Sequence, residues 1–214
     1  MKIKNKGESI KLFALPFIPG AEAISGQYIN NDFRQHIHKT YIIGIVKRGK
    51  RIITHSDGVA QISENEVFII NPGQVHSCSS GGRSGHSYKI LSVSLQAMQS
   101  IASQISEKYE TRPYFKNVHY KNAMLSKTLA RLFDVIEKPG SNTRIEKNTY
   151  SFLACLLTYF SEPPPTICAA GEQKDSIKRA CDYICNNYKK NLSLRELAEI
   201  ACLSPFHFQR EFKK

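Results

Sequence analysis

Two short helical patterns sit back to back at the end of this chain, and little else in it constrains a fold so tightly. Ser193 stands three residues before Glu196, which is capping-box spacing, and Leu194, Leu197, Ala198 and Ala201 follow at helical intervals. Cys202-Leu203-Ser204 make a three-residue turn. Ser204 suits the N-cap of the next helix and Pro205 its first turn. Phe208 and Phe212 lie one turn apart and should face inward, leaving Phe206, His207, Gln209, Arg210 and Lys213 outward. Upstream, Ile177, Ala180, Cys181, Ile184 and Tyr188 form one stripe, so a third helix completes the unit. This is helix-turn-helix spacing, in which a second helix of this polarity can enter the DNA major groove.

The first hundred residues follow a different period. Tyr41–Val46, Ile52–His55, Val59–Ile62, Val67–Ile70 and Ile90–Leu95 read as short strands. Lys47–Arg51, Ser56–Gly58, Asn71–Gly73 and the loop Ser79–Gly85 separate them. Short strands at regular spacing predict a sandwich or jelly-roll barrel. Two helical stretches follow. One spans Ala123–Ile136, with Leu125, Leu129, Leu132, Phe133 and Ile136 apolar; the other starts at Thr143 and runs to Phe160. Glu162-Pro-Pro-Pro-Thr166 then favours stiff extended backbone, and Ala169–Gln173 is looser, as in a linker.

Charge narrows the partners without locating them. The chain carries a formal +12, yet residues 172–214 hold nine basic against six acidic side chains, so most of the excess lies upstream. An anionic partner is implied. No run approaches the roughly 20 apolar residues of a membrane span, and no apolar stretch follows the basic N-terminus as a secretory signal requires. The six cysteines form no CxxC pair and suit a reducing compartment. A cytoplasmic protein without membrane contact is expected.

The C-terminal stretch resembles the DNA-binding domain of the AraC/XylS family of bacterial transcription regulators. The resemblance is carried by Ile184, Leu194, Leu197-Ala198, Ala201, Leu203-Ser204, Phe208, Arg210 and Phe212-Lys213. It implies that Phe206, Gln209 and Arg210 face the groove, with Lys213 near phosphate. Family members have two such units, and the chain reaches Lys214 after one, so half of the domain is expected. Upstream, His36-Ile-His38 with Gly49, and Pro72-Gly-Gln-Val-His76, resemble the two motifs of cupin barrels, including the sensor domain of these regulators.

That resemblance implies an effector pocket. Its positions map to Arg34, His36, His38, His76, Cys78, Lys89 and Leu91. Arg34 and Lys89 in a pocket point to an anionic effector, because a buried cation needs a partner. Many cupins hold a metal at the positions of His36, His38 and His76 with a Glu near Ile42; here that position is apolar, so neither metal nor other cofactor is expected. The resemblance further implies homodimerisation through Thr149, Phe152, Leu153, Leu156 and Leu157.

Together these readings predict an α+β chain: a cupin or jelly-roll barrel (1–100), a helical dimerisation segment of two helices (101–162), a linker (163–173) and an incomplete all-α helix-turn-helix unit (174–214). The expected function is effector-responsive, sequence-specific binding of DNA, without catalysis. The alternative is a metal-dependent cupin enzyme, a dioxygenase or isomerase, using His36, His38 and His76.

Overall fold

The computed structural model describes residues 7–82, 84–105, 112–138, 140–162, 171–188, 190–201 and 205–213, with backbone alone at 171–176, 206–207 and 210–211. Nine strands come first: β1 (Ser9–Ala14), β2 (Ala21–Ile29), β3 (Phe33–His36), β4 (Thr40–Arg48), β5 (Arg51–His55), β6 (Gly58–Ile62), β7 (Val67–Ile70), β8 (His76–Ser80) and β9 (His86–Ser94). They are followed by α1 (Leu95–Ile105), the short β10 (His119–Tyr120), α2 (Ala123–Ile136) and α3 (Asn142–Phe160). The last three elements are α4 (Gly171–Asn187), α5 (Leu194–Ile200) and α6 (Pro205–Phe212).

The strands form two antiparallel sheets, ordered β1-β2-β9-β4-β7-β10 and β3-β8-β5-β6. This is the cupin or jelly-roll architecture. The β4–β5 hairpin depends on Gly49, whose φ of +74° is left-handed and whose added Cβ would meet the Gly85 carbonyl oxygen at 2.9 Å. Gly44, opposite Phe68 in the β4–β7 pairing, leaves room for that ring: a Cβ there would fall inside it.

Central strands of the larger sheet are buried on both faces, and alternate residues serve different cores. Tyr41, Ile43, Ile45, Val67, Ile69, Leu91 and Val93 pack with Leu125, Leu129, Phe133, Leu153 and Leu156 of the helices. Ile42, Val46, Phe68, Ile70, Tyr88 and Ile90 instead meet Ile53, Ile62 and Cys78 from the smaller sheet. The first core closes one side of the sheet; the second fills the barrel.

Three features depart from expectation. First, the barrel is followed by three helices, not two. By spacing Leu95 continues the alternation of Leu91 and Val93, but the Ser94 hydroxyl accepts from the Ala97 amide at 3.2 Å and the chain turns into α1. Second, the first strand expected from sequence is Tyr41–Val46, yet β1 forms before it and pairs with β2 from Ser9↔Gln27 to Ala14↔Glu22. Third, the expected linker is shorter at its end, because α4 already begins at Gly171. Residues 163–170 lie outside the described residues.

Chain contacts divide the molecule into two compact units, one up to residue 164 and one from 165 onward. In the first, the side chains of Asn122 and Ser141 cap α2 and α3. In the second, Ala180, Ala198, Ala201 and Phe208 make a small core among α4, α5 and α6. Ser193 caps α5, accepting from the Glu196 amide at 3.1 Å. The Glu196 carboxylate does not serve a capping box; it accepts from the Tyr183 hydroxyl at 2.7 Å and joins α5 to α4. Arg179 reaches the Ile200 carbonyl at the end of α5. Phe212, expected inward, is 45% exposed although its ring lies 5.1 Å from Phe208. Tyr188, placed on the apolar stripe by its spacing, is also exposed. Among the described residues no helix is long and apolar enough to cross a membrane.

Candidate functional site

Polar side chains gather in the barrel, between the two sheets. β3 and the loop after it bring in His36 and His38; β8 brings in His76, paired opposite His36. The Asn71–Gln74 turn locks the arrangement. Gly73 donates its N–H to the His38 carbonyl at 2.8 Å, and Gln74 donates to the Asn71 carbonyl at 3.1 Å. Buried Asn71 in turn holds Phe115 by two hydrogen bonds, at 2.8 and 3.0 Å.

Hydrogen bonding fixes the ring orientations. His36 Nδ1 is 2.6 Å from the Arg34 carbonyl, and His76 Nδ1 is 2.9 Å from that of Gln74. A carbonyl only accepts, so both Nδ1 atoms carry the proton and both Nε2 atoms present a lone pair. His36 Nε2 is 3.2 Å from His38 Nε2, which therefore donates. Burial pushes the His76 imidazole down to about 4, assisted by His36, His38 and Arg51. Burial likewise lowers His38, with His36 and Arg51 adding to it. These two rings are neutral near pH 7.

The three ring ligand atoms lie within 4.8 Å of one another. Two lone pairs held by carbonyl-bound Nδ1–H groups fit a divalent metal, and His38 would join them by moving its proton to Nδ1. Ile42, where a carboxylate ligand would stand, is buried and apolar. Such a site would consist of three neutral imidazoles.

A second cluster was not foreseen. Arg51, which by sequence ends the Lys47–Arg51 turn, is the first residue of β5 and is only 6% exposed. Its guanidinium lies over the rings of Tyr88 and Phe68, at 4.7 and 5.2 Å, and 5.9 Å from Phe33. Arg51 Nη1 donates to His86 Nε2 at 2.9 Å. His86 is buried, and desolvation followed by Arg51 brings its imidazole down to about 4. The signal was in the register: Arg51 shares a face with Ile53, and His86 with Tyr88 and Ile90.

The remaining expected pocket residues separate by face. Cys78 is buried in the barrel core beside Ile53. Arg34 is exposed and contributes only its carbonyl to this cluster. Lys89 and Leu91 lie on the opposite face of β9, because Tyr88 and Ile90 take the inward positions. Lys89 pairs with Glu137 at 3.0 Å beside the Phe133 ring, and Leu91 is fully buried against the helices. A surface groove of about 310 Å³ at the α2–α3 turn, lined by Arg131, Asp134, Lys138 and Arg144, holds no buried unpaired group and is not the candidate.

The expected dimer contacts are also corrected. Thr149, Phe152, Leu153, Leu156 and Leu157 are all buried within the chain's own core. Their apolar stripe packs with α1 and α2 inside the chain, so it is not available to a second copy. In the C-terminal unit, Gln209 and Lys213 are exposed, as expected; the side chains of Phe206 and Arg210 lie outside the described residues.

A two-sheet barrel with a polar interior, packed against helices, in a chain that also carries a separate three-helix unit, places the protein in the cupin class. Residues 18–153 match the AraC-like ligand binding domain, and the chain belongs to this family of transcription regulators. It is 25% identical over 193 residues to YbfI, an uncharacterized HTH-type transcriptional regulator of Bacillus subtilis strain 168, covering 90% of this chain and 70% of that one. The crystal structure of the AraC-like transcriptional activator CuxR shares the fold, with a TM-score of 0.52 at 13% identity over 97% of this chain and 75% of that one.

Proposed function

We propose that this chain is an effector-responsive regulator that binds a small organic molecule between its two sheets and DNA through its C-terminal unit. The observation that carries the reading is the pairing of a polar barrel interior with a separate three-helix unit in one chain. α5 and α6 are separated by the short interval of a helix-turn-helix, and Gln209 on α6 and Lys213 just after it are solvent-facing. Gln209 and Arg210 read base edges, Phe206 packs in the groove, and Lys213 meets phosphate. Effector occupancy changes DNA binding only insofar as the effector prefers one of two arrangements of the protein. The active form is a cytoplasmic homodimer. With the inner stripe of α3 buried, its partner-facing residues are on the outer side, where Tyr159 is 70% exposed.

Selection of bound fragments from a genomic library, followed by mobility shifts with Arg210→Ala, tests the DNA reading. Loss of specific binding with non-specific binding retained supports it; equal losses contradict base readout by Arg210.

One observation favours a second reading. The convergent imidazoles of His36, His38 and His76 suit a metal-dependent cupin enzyme. Membership of a regulator family and the apolar Ile42 count against it. Stoichiometric metal in the purified protein, lost on His76→Ala, would favour it.

A further inference from the structure

The barrel interior contains a charge with no counter-charge. Arg51 is held among Phe33, Phe68 and Tyr88; its guanidinium bonds the neutral His86 ring and lies beside the Tyr88 hydroxyl, and both of these partners are uncharged. Because the guanidinium only donates, His86 Nε2 accepts and the His86 proton sits on Nδ1. Both Arg51 Nε and His86 Nδ1 are buried without a hydrogen-bond partner. His86 Nδ1 lies toward the Ile29 carbonyl, close enough to feel it but outside hydrogen-bond geometry. Among the described residues no carboxylate lies within 4.0 Å of the guanidinium.

A buried guanidinium without an acid is costly, and an unmade buried N–H adds to the cost. Such an arrangement is stable in use when a ligand completes it. We propose that Arg51 is the anion-binding residue of the barrel and that the effector is a small organic monocarboxylate. This rests on the reading of the barrel as an effector site.

The chemistry selects the class. Nε–H is one prong of the side-on fork through which a guanidinium takes a carboxylate. One carboxylate balances one guanidinium. A phosphate dianion would leave one negative charge that Arg51 does not balance. The rings of Phe33, Phe68 and Tyr88 and the side chains of Ile53 and Cys78 offer an apolar wall to the rest of the molecule. A neutral sugar would satisfy neither the charge nor this wall. Arg34 and Lys89, from which sequence suggested an anion, are outside the cluster; Arg51 supplies the cation instead.

The test is an NMR titration of the ¹⁵N-labelled full chain, following the Arg51 Nε–H signal, assigned by its absence in Arg51→Lys. The probes are formate, benzoate, the neutral isostere benzamide and inorganic phosphate. The expected result is a saturable shift with formate or benzoate, none with benzamide, and, read on the barrel backbone amides of both proteins, at least tenfold weaker binding of the same carboxylate to Arg51→Lys. An equal response to benzamide, or no saturable response to either carboxylate, would overturn the proposal. A response to phosphate alone would replace the carboxylate with a phosphate ligand. Mobility shifts with the same compounds separate the two readings. A carboxylate that saturates Arg51 without changing DNA binding contradicts the regulator reading and leaves the anion site standing. A neutral effector that changes DNA binding while the Arg51 signal stays fixed does the reverse.

Discussion

The two faces of the larger sheet are built from the same strands and differ in almost everything else. Toward the helices, Ile43, Ile45, Val67, Ile69, Leu91 and Val93 meet Leu, Phe and Ile side chains. Toward the smaller sheet, apolar residues alternate in space with polar ones: Arg51, His76 and His86 are each less than a tenth exposed. The helix face is what a stable core requires. The barrel face contains groups that burial penalises and that no protein partner fully satisfies. Alternation along β9 thus puts Leu91 and Val93 against the helices and His86 and Tyr88 inside the barrel, where Arg51 and His76 of the smaller sheet join them.

The largest expected effect lies on the helix face. Leu153→Ala should cost about 2–5 kcal/mol in denaturant unfolding, since it empties a fully buried site. Gly44→Ala should cost about 1–3 kcal/mol, because the Phe68 ring occupies the space its methyl needs. Arg51→Met should behave oppositely: without ligand it should be neutral or stabilising by about 1 kcal/mol or more, as a buried uncompensated charge is removed. If Arg51→Met destabilises as much as Leu153→Ala, the contrast between the faces fails and Arg51 is a structural residue.

Acid sharpens the same contrast. His76 and His86 titrate at about 4 when folded and near 6.5 when unfolded, so between these values the unfolded chain binds more protons. Stability should therefore fall as pH drops from 6.5 toward 4, by roughly 1 kcal/mol per histidine per pH unit at the steepest. His86→Phe should flatten part of that slope, read by chemical denaturation at each pH. The smallest effect belongs to the second unit: Ser193→Ala removes the α5 cap and should cost about 1 kcal/mol, seen as faster amide exchange in α5 with barrel amides unchanged.

Sequence made the architecture legible wherever one period dominated. The strands at Tyr41, Ile52, Val59 and Val67, both long helices and the Ser193 cap follow from alternation, helical spacing and capping chemistry. The motifs also brought His36, His38 and His76 together correctly. What stayed hidden was set by tertiary context. Nothing local to Leu95 distinguishes another strand residue from the first of a helix. The α3 stripe is equally apolar whether it meets neighbouring helices or a second copy. Lys89 and Leu91 sit one residue from the inward register, and Arg51 looked like a turn residue because its neighbours are Gly49 and Lys50.

The central claim is that the barrel interior is an effector site and not a metal centre. Native mass spectrometry of the purified chain, with metal analysis of the same sample, tests it most directly. The account predicts a small organic mass bound per chain without stoichiometric metal, and loss of that mass in Arg51→Met. One iron, manganese or zinc per chain, retained in Arg51→Met and lost in His76→Ala, would contradict it.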